Sequence, residues 1–150
     1  MSEELHRIGE VAAKAEVSTR TLRYYEELGL LYPAGHSPGG SRRYSDDDVA
    51  RILRIRELQR MMAFDLDQIG DILHAEDRLD ELRRDFRAGR AKGRERELIL
   101  EAMAINARLR EQVREKLTVL RGFQRELDVT AGRYRQFAAD RGIAPDAERA

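Results

Sequence analysis

Two short helical patterns lie only two residues apart near the start of the chain, and that joint constrains the fold more than any other feature. The first runs from Ile8 to Ala15 and spaces Ile8, Val11, Ala12 and Ala15 along one face. The second runs from Ser18 to about Leu28, with Leu22, Tyr25 and Leu28 on one side. Glu16 and Val17 are all that join them. Helices so closely linked must cross sharply instead of lying side by side, which is the sequence form of a helix-turn-helix.

Three helix starts share one grammar. Ser18 is a good N-cap residue, with Val17 before it and Leu22 four residues after, the arrangement of a hydrophobic staple. Ser45 repeats it with Tyr44 and Val49, and Asp48 completes a capping box. Asp65 repeats it with Phe64 and Ile69, with Gln68 closing the box. The acidic triplet Asp46, Asp47 and Asp48 is a helix start placed where the dipole favours negative charge. These caps predict helices over about 45–62 and 65–74. In the first, Val49, Ile52, Leu53, Arg56 and Leu58 to Met62 form the inward face; in the second, Leu66, Ile69, Ile72 and Leu73 do so. Between the early helices and Ser45 lie Pro33, Gly35, Pro38, Gly39 and Gly40, too many breakers for a helix. A short hairpin is expected there, with Leu30-Leu31-Tyr32 and Ser41-Arg42-Arg43-Tyr44 as its arms.

After His74 the texture changes. Leu79, Leu82 and Phe86 make a brief amphipathic turn or two before the loose run Ala88 to Gly93. A long helix is then expected from about Arg94 to Asp128. A heptad frame puts Ile99, Asn106, Val113, Leu120 and Leu127 at a and Ala102, Leu109, Lys116 and Phe123 at d, with Leu117 flanking the seam. Such a helix of about 35 residues is roughly 50 Å long, more than a small N-terminal domain can bury. A second copy of the chain is the expected partner, with Ile99, Asn106, Leu109, Val113, Leu117, Leu120, Phe123 and Leu127 at the interface. Asn106 reads as a register device, and Lys116 as a side chain that snorkels past the seam or a sign that the frame drifts. Gly122, Gly132 and Gly142 weaken the far end progressively. The expected divisions are therefore a domain at 1–75, a linker with a short helix at 76–93, a dimerisation helix at 94–128 and a tail at 129–150.

Composition narrows the functions. The 150 residues carry 28 Lys or Arg and 28 Asp or Glu, and charged residues make up 37% against 6% aromatic. That balance suits long solvated helices better than a sandwich or barrel. Without cysteine there are no disulfides, thiol redox centres or thiolate metal ligands. His6, His36 and His74 are separated by whole elements and none has a ligand neighbour at metal spacing; His74 beside Glu76 and Asp77 reads as a helix-dipole partner. No apolar run approaches a membrane span, and Met1-Ser2-Glu3-Glu4 lacks the apolar region of a signal peptide. A soluble, cytoplasmic protein is expected, without cofactor or metal. There is no nucleophile elbow, phosphate loop or paired-carboxylate pocket, so an enzyme is the remotest reading.

Longer motifs carry a resemblance. Arg7-Ile8-Gly9-Glu10-Val11-Ala12, Thr21-Leu22-Arg23-Tyr24-Tyr25-Glu26, Gly29-Leu30-Leu31 and Gly40-Ser41-Arg42-Arg43-Tyr44 stand in the order found in the MerR family of bacterial transcription regulators. Asp47-Asp48-Val49 and Phe64 to Ile69 resemble that family's second helix pair, so the likeness spans roughly residues 6 to 75. Ser41 stands where family members usually carry Tyr. The resemblance implies an all-α fold with a small β wing: a winged helix-turn-helix followed by a long C-terminal helix in an antiparallel coiled coil. It also implies a homodimer on a palindromic promoter operator, where an effector bends and untwists the DNA and brings overspaced promoter elements into register for RNA polymerase.

Individual residues can be weighed on that reading. Ser18, Thr19, Arg20 and Thr21 form the turn expected to reach base edges, Arg20 by a bidentate contact to guanine, while Ser18 also serves as the cap. Arg23 and Tyr24 point away from the Leu22–Tyr25 stripe and are available to phosphates. Arg42 and Arg43 lie on the wing, where cations raise affinity without reading sequence. Tyr44 either supports a phosphate through its hydroxyl or serves only as a staple. Residues 1–74 hold 10 Lys or Arg against 13 Asp or Glu, a net of −3, so any DNA-binding charge must be local and binding strongly salt-dependent. A small organic effector, if it binds, has Phe86, Tyr134 and Phe137 as candidate contacts, although Tyr134 and Phe137 also suit an extension of the seam. The competing reading is a coiled-coil scaffold whose N-terminal module is an adaptor.

Overall fold

The computed structural model describes residues 4–144. It contains β1 (His6–Arg7), α1 (Ile8–Ala15), α2 (Thr19–Glu27), β2 (Gly35–His36), β3 (Arg42–Tyr44), α3 (Asp46–Arg60), α4 (Leu66–Arg87) and α5 (Glu95–Ala139). The fold is mostly helical with one small sheet. The chain divides into two compact units, one ending at Arg90 and the other starting at Ala91.

In the first unit, α1 stops because Glu16 takes a left-handed conformation, φ 55°. The Glu16 amide then bonds the Ala13 carbonyl and the Val17 amide that of Ala12, a Schellman closure that lets the chain turn within two residues. Ser18 at once caps α2, its hydroxyl accepting from the Thr21 amide at 3.0 Å. At the other end of α2, the Leu30 amide reaches back to Tyr25 while Gly29 sits at φ 70°, a conformation that favours glycine. The caps at Ser45 and Asp65 form as complete boxes with Asp48 and Gln68.

The sheet order is β1-β3-β2, with both neighbours antiparallel to β3. This corrects the expected hairpin. Gly35 and His36 pair with β3, whereas Leu30 and Leu31 are buried in the core beyond the end of α2. His6 and Arg7 supply a third strand too short to show as an alternating pattern. Around the sheet, Leu22, Leu31, Tyr44, Ile52, Ile55 and Ile69 have no exposed surface. The inward face of α3 is Val49, Ile52, Ile55 and Leu58; Leu53, Met61 and Met62, expected there, are exposed.

Helix α4 does not end at His74 but continues to Arg87, absorbing the short helix expected over Leu79–Phe86. Asp77 and Glu76 on its second half pair with Arg51 and Arg54 of α3, at 2.9 and 2.6 Å. Those cross-helix pairs reward carrying the helix through 74–78, where apolar spacing lapses between Leu73 and Leu79.

In the second unit, α5 runs 45 residues to Ala139, about 68 Å. Gly122 and Gly132 do not interrupt it, since an interior glycine costs only about 1 kcal/mol and good helix formers surround both. The part expected as a tail from residue 129 is thus helical to Ala139; residues 145–150 lie outside the described residues. Along α5, Ile99, Val113, Leu117, Leu120, Phe123 and Leu127 are between 42% and 58% exposed. Asn106 is exposed and Leu109 half-buried. Among the described residues no helix is long and apolar enough to cross a membrane.

Candidate nucleic-acid interface

The helix-turn-helix leaves one face of α2 open. An open groove of about 470 Å³ runs along it, lined by Ser18, Arg20, Thr21, Arg23, Tyr24 and Glu27. Leu22 and Tyr25 hold the opposite face in the core, and the Tyr25 hydroxyl donates to Gln59 at 3.1 Å. Burial raises the Tyr25 pKa, with Arg56 acting against it. At the first turn, Ser18 and Thr21 spend their hydroxyls on each other, 2.9 Å apart, while Arg20 extends outward. Thr19 is half-buried and Tyr24 exposed.

Charge pairing separates the arginines. Arg42, Arg51, Arg54 and Arg60 are all in ion pairs. The hydrogen bonds that Arg54 donates to Glu76 lead in raising the arginine's pKa well above the ordinary value. Arg20 and Arg23 are exposed and, among the described residues, bonded to no carboxylate. The unit is acidic in total, yet two cations without a carboxylate partner among the described residues, Arg20 and Arg23, stand on the outer face of α2.

The wing stands beside that face. In a strand, alternate side chains point to opposite sides. Arg42 and Tyr44 accordingly share the side facing α2, where both reach Glu26, while Arg43 projects the other way. The wing arginines are therefore not equivalent. Tyr44 has no exposed surface, so the hydroxyl expected to support a phosphate is instead donated to Glu26. That corrects its place among the DNA contacts. Burial first, and then the bond to Glu26, raises the Tyr44 pKa far above the ordinary phenol value. The Arg42 pKa is raised too, first by its hydrogen bond to Glu26 and then by that carboxylate's charge. Ser41 is exposed at the strand's start, its amide donating to the Ser37 hydroxyl.

The arginine pair is exposed on the second helix of a helix-turn-helix, the helix that in DNA-binding members of this motif lies in the major groove, and the three-stranded wing flanks it. Comparison with known proteins supplies the family: residues 6–76 match the description "MerR HTH family regulatory protein". The N-terminal domain belongs to the MerR family. Over 68 residues the chain is 41% identical to the HTH-type transcriptional activator TipA of Streptomyces coelicolor, covering 45% of this chain and 26% of TipA. Over 69 residues it is 38% identical to the HTH-type transcriptional regulator ZntR of Escherichia coli, covering 46% of this chain and 48% of ZntR. The chain thus spans a quarter of one relative and about half of the other. The solved structure of HiNmlR, a MerR family regulator lacking the sensor domain and bound to promoter DNA, shares the fold with a TM-score of 0.55. There the identity is 21%, with 93% of this chain and 97% of that one covered.

Two residues of the MerR domain's site escaped sequence reasoning. Glu27 lines the α2 groove beside the arginines. Glu26 receives both wing side chains although its carboxylate is only 13% exposed. Its signal was available, since an acid adjoining the buried Leu22–Tyr25 stripe needs a cation or hydroxyl to satisfy it. The effector candidates fall apart between the two units: Phe86 is near the end of α4, and Tyr134 and Phe137 are exposed on α5. The Arg141 guanidinium lies 3.4 Å from the centre of the Phe137 ring.

Proposed function

We propose that the chain is a homodimeric transcription regulator of the MerR type that grips a palindromic promoter operator. Arg20 and Arg23 on the outer face of α2, without a carboxylate partner among the described residues, carry this reading. Arg20, on the first turn, reads base edges in the major groove; Arg23 and Tyr24 hold phosphates beside it. Thr19 and Thr21 flank the base contact, and Ser18 caps. Arg42 and Arg43 bring the wing against the backbone. The exposed seam of α5, from Ile99 to Leu127, pairs two copies as an antiparallel coiled coil and so sets two α2 helices on two half-sites. DNA held in this way is distorted to control access of RNA polymerase, in the cytoplasm at the nucleoid.

The test is selection of genomic fragments by the purified protein, followed by gel shift and footprinting on the winners. A palindromic footprint with one dimer per site is the expected result. Binding that fails to separate selected from random DNA would leave the scaffold reading in its place.

A further inference from the structure

The wing and the recognition helix meet at one carboxylate. Arg42 Nε donates to Glu26 Oε2 at 2.5 Å, and the Tyr44 hydroxyl donates to Glu26 Oε1 at the same distance. Both oxygens of a nearly buried acid are thereby used on side chains from β3, the central strand of the wing sheet. Glu26 itself lies near the end of α2, two turns beyond Arg20 and on the helix that also presents Arg23. The Arg42 side chain remains 35% exposed, and among the described residues its two terminal nitrogens have no hydrogen-bond partner.

The consequence for Arg42 is directional. A guanidinium offers five N–H donors in a rigid planar fork. Fixing Nε on Glu26 fixes the plane and leaves the outer end of the fork as a preset anion clasp. An arginine on a mobile wing would lose side-chain entropy on meeting DNA, whereas this one has lost it in folding.

We infer that Glu26 is a positioning residue for DNA binding: by clasping Arg42 and Tyr44 together it aims the wing's guanidinium at the phosphate backbone and locks the wing to the recognition helix. The inference rests on the DNA-binding reading above. It runs against plain electrostatics, in which a carboxylate near DNA only weakens binding. The high Tyr44 and Arg42 pKa values agree with it, since both donors hold their protons against Glu26.

That opposition of signs supplies the experiment. Operator affinity is measured by fluorescence anisotropy for the full chain, Glu26→Gln, Arg42→Ala and the double variant, with thermal melts to show each is folded. The amide keeps the size of the side chain but loses its charge and one acceptor. Glu26→Gln is expected to weaken operator binding about tenfold, as for loss of one charge-assisted contact. In the Arg42→Ala background the same change is expected to leave affinity unchanged or to tighten it. Tighter binding by Glu26→Gln alone would overturn the inference, because Glu26 would then merely withhold Arg42 from phosphate. An equal loss in both backgrounds would overturn it too, since Glu26 would act only through the fold of α2. Should Glu26→Gln fail to fold, Arg42→Lys decides. An ammonium cannot hold Glu26 and still present a planar fork outward, so affinity as low as that of Arg42→Ala supports the inference, and affinity near the unmutated value overturns it. A full chain that binds no selected DNA at all would remove the underlying reading as well, a result distinct from all of these.

Discussion

Tyr25 and Tyr44 place phenol groups in the core, and in both cases burial raises the pKa above the ordinary value of 10.0. A raised folded-state pKa means that the stabilising contribution is complete below pH 10 and is lost as pH climbs above it. Chemical denaturation at pH 7, 10 and 12 should therefore show a steep alkaline loss that is shallower in Tyr44→Phe. At pH 7 that variant should cost about 2 kcal/mol, the worth of a hydrogen bond to a charged acceptor. Arg20 and Arg42 should differ in kind. A bidentate base contact discriminates by about 1–3 kcal/mol, so Arg20→Ala should narrow the gap between operator and random DNA. Arg42→Ala should weaken both about equally and lower the salt slope by roughly one. Salt titrations of both variants on both DNAs check this. If Arg42→Ala collapses specificity while Arg20→Ala spares it, the wing reads the sequence.

At the scale of elements, the helix starts are not equal in what they hold. Ser18 caps α2 alone. Asp48 accepts from the Ser45 amide at 2.8 Å and also from the Ala34 amide at 3.1 Å, tying the chain entering β2 to the start of α3. Urea melts should give a loss of about 1 kcal/mol for Ser18→Ala and roughly twice that for Asp48→Ala. All three caps were legible in the sequence because each is a local rule, satisfied within four residues. So was the α1–α2 joint, where the shortness of the link left few choices. The strands were not. Two residues at His6–Arg7 carry no alternation, and their partner lies on the far side of two helices. The end of α4 escaped for a related reason: Asp77 and Glu76 mark a continuing helix only once Arg51 and Arg54 are known to stand opposite. Of the site, the outward arginines of α2 could be read from the helical stripe, whereas the inward turn of Tyr44 depends on Glu26, a tertiary partner.

For the whole molecule, the exposed apolar stripe of α5 sets the central expectation. Light scattering at micromolar concentration should give twice the chain mass. Replacing Leu109 and Leu120 together with Lys should give a monomer, and operator affinity should fall with it because two half-sites are no longer linked. A monomeric unmutated chain would sink the coiled-coil reading.

The order of the small sheet governs how the first unit comes apart. Because β3 stands between β1 and β2, the strand next to the chain's start is zipped to Arg43 and Tyr44, and both helices of the helix-turn-helix are enclosed in the loop between them. Neither helix can leave without unzipping the sheet, and the sheet cannot form until β3 is present. Amide protons of α2 and β3 should therefore exchange with solvent through one shared opening, at one common protection. A fragment ending before Arg42 would keep α1 against α2 but lose Tyr44, Ile52, Ile55 and Ile69, which complete the core around Leu22, Tyr25 and Leu31, and should stay unfolded.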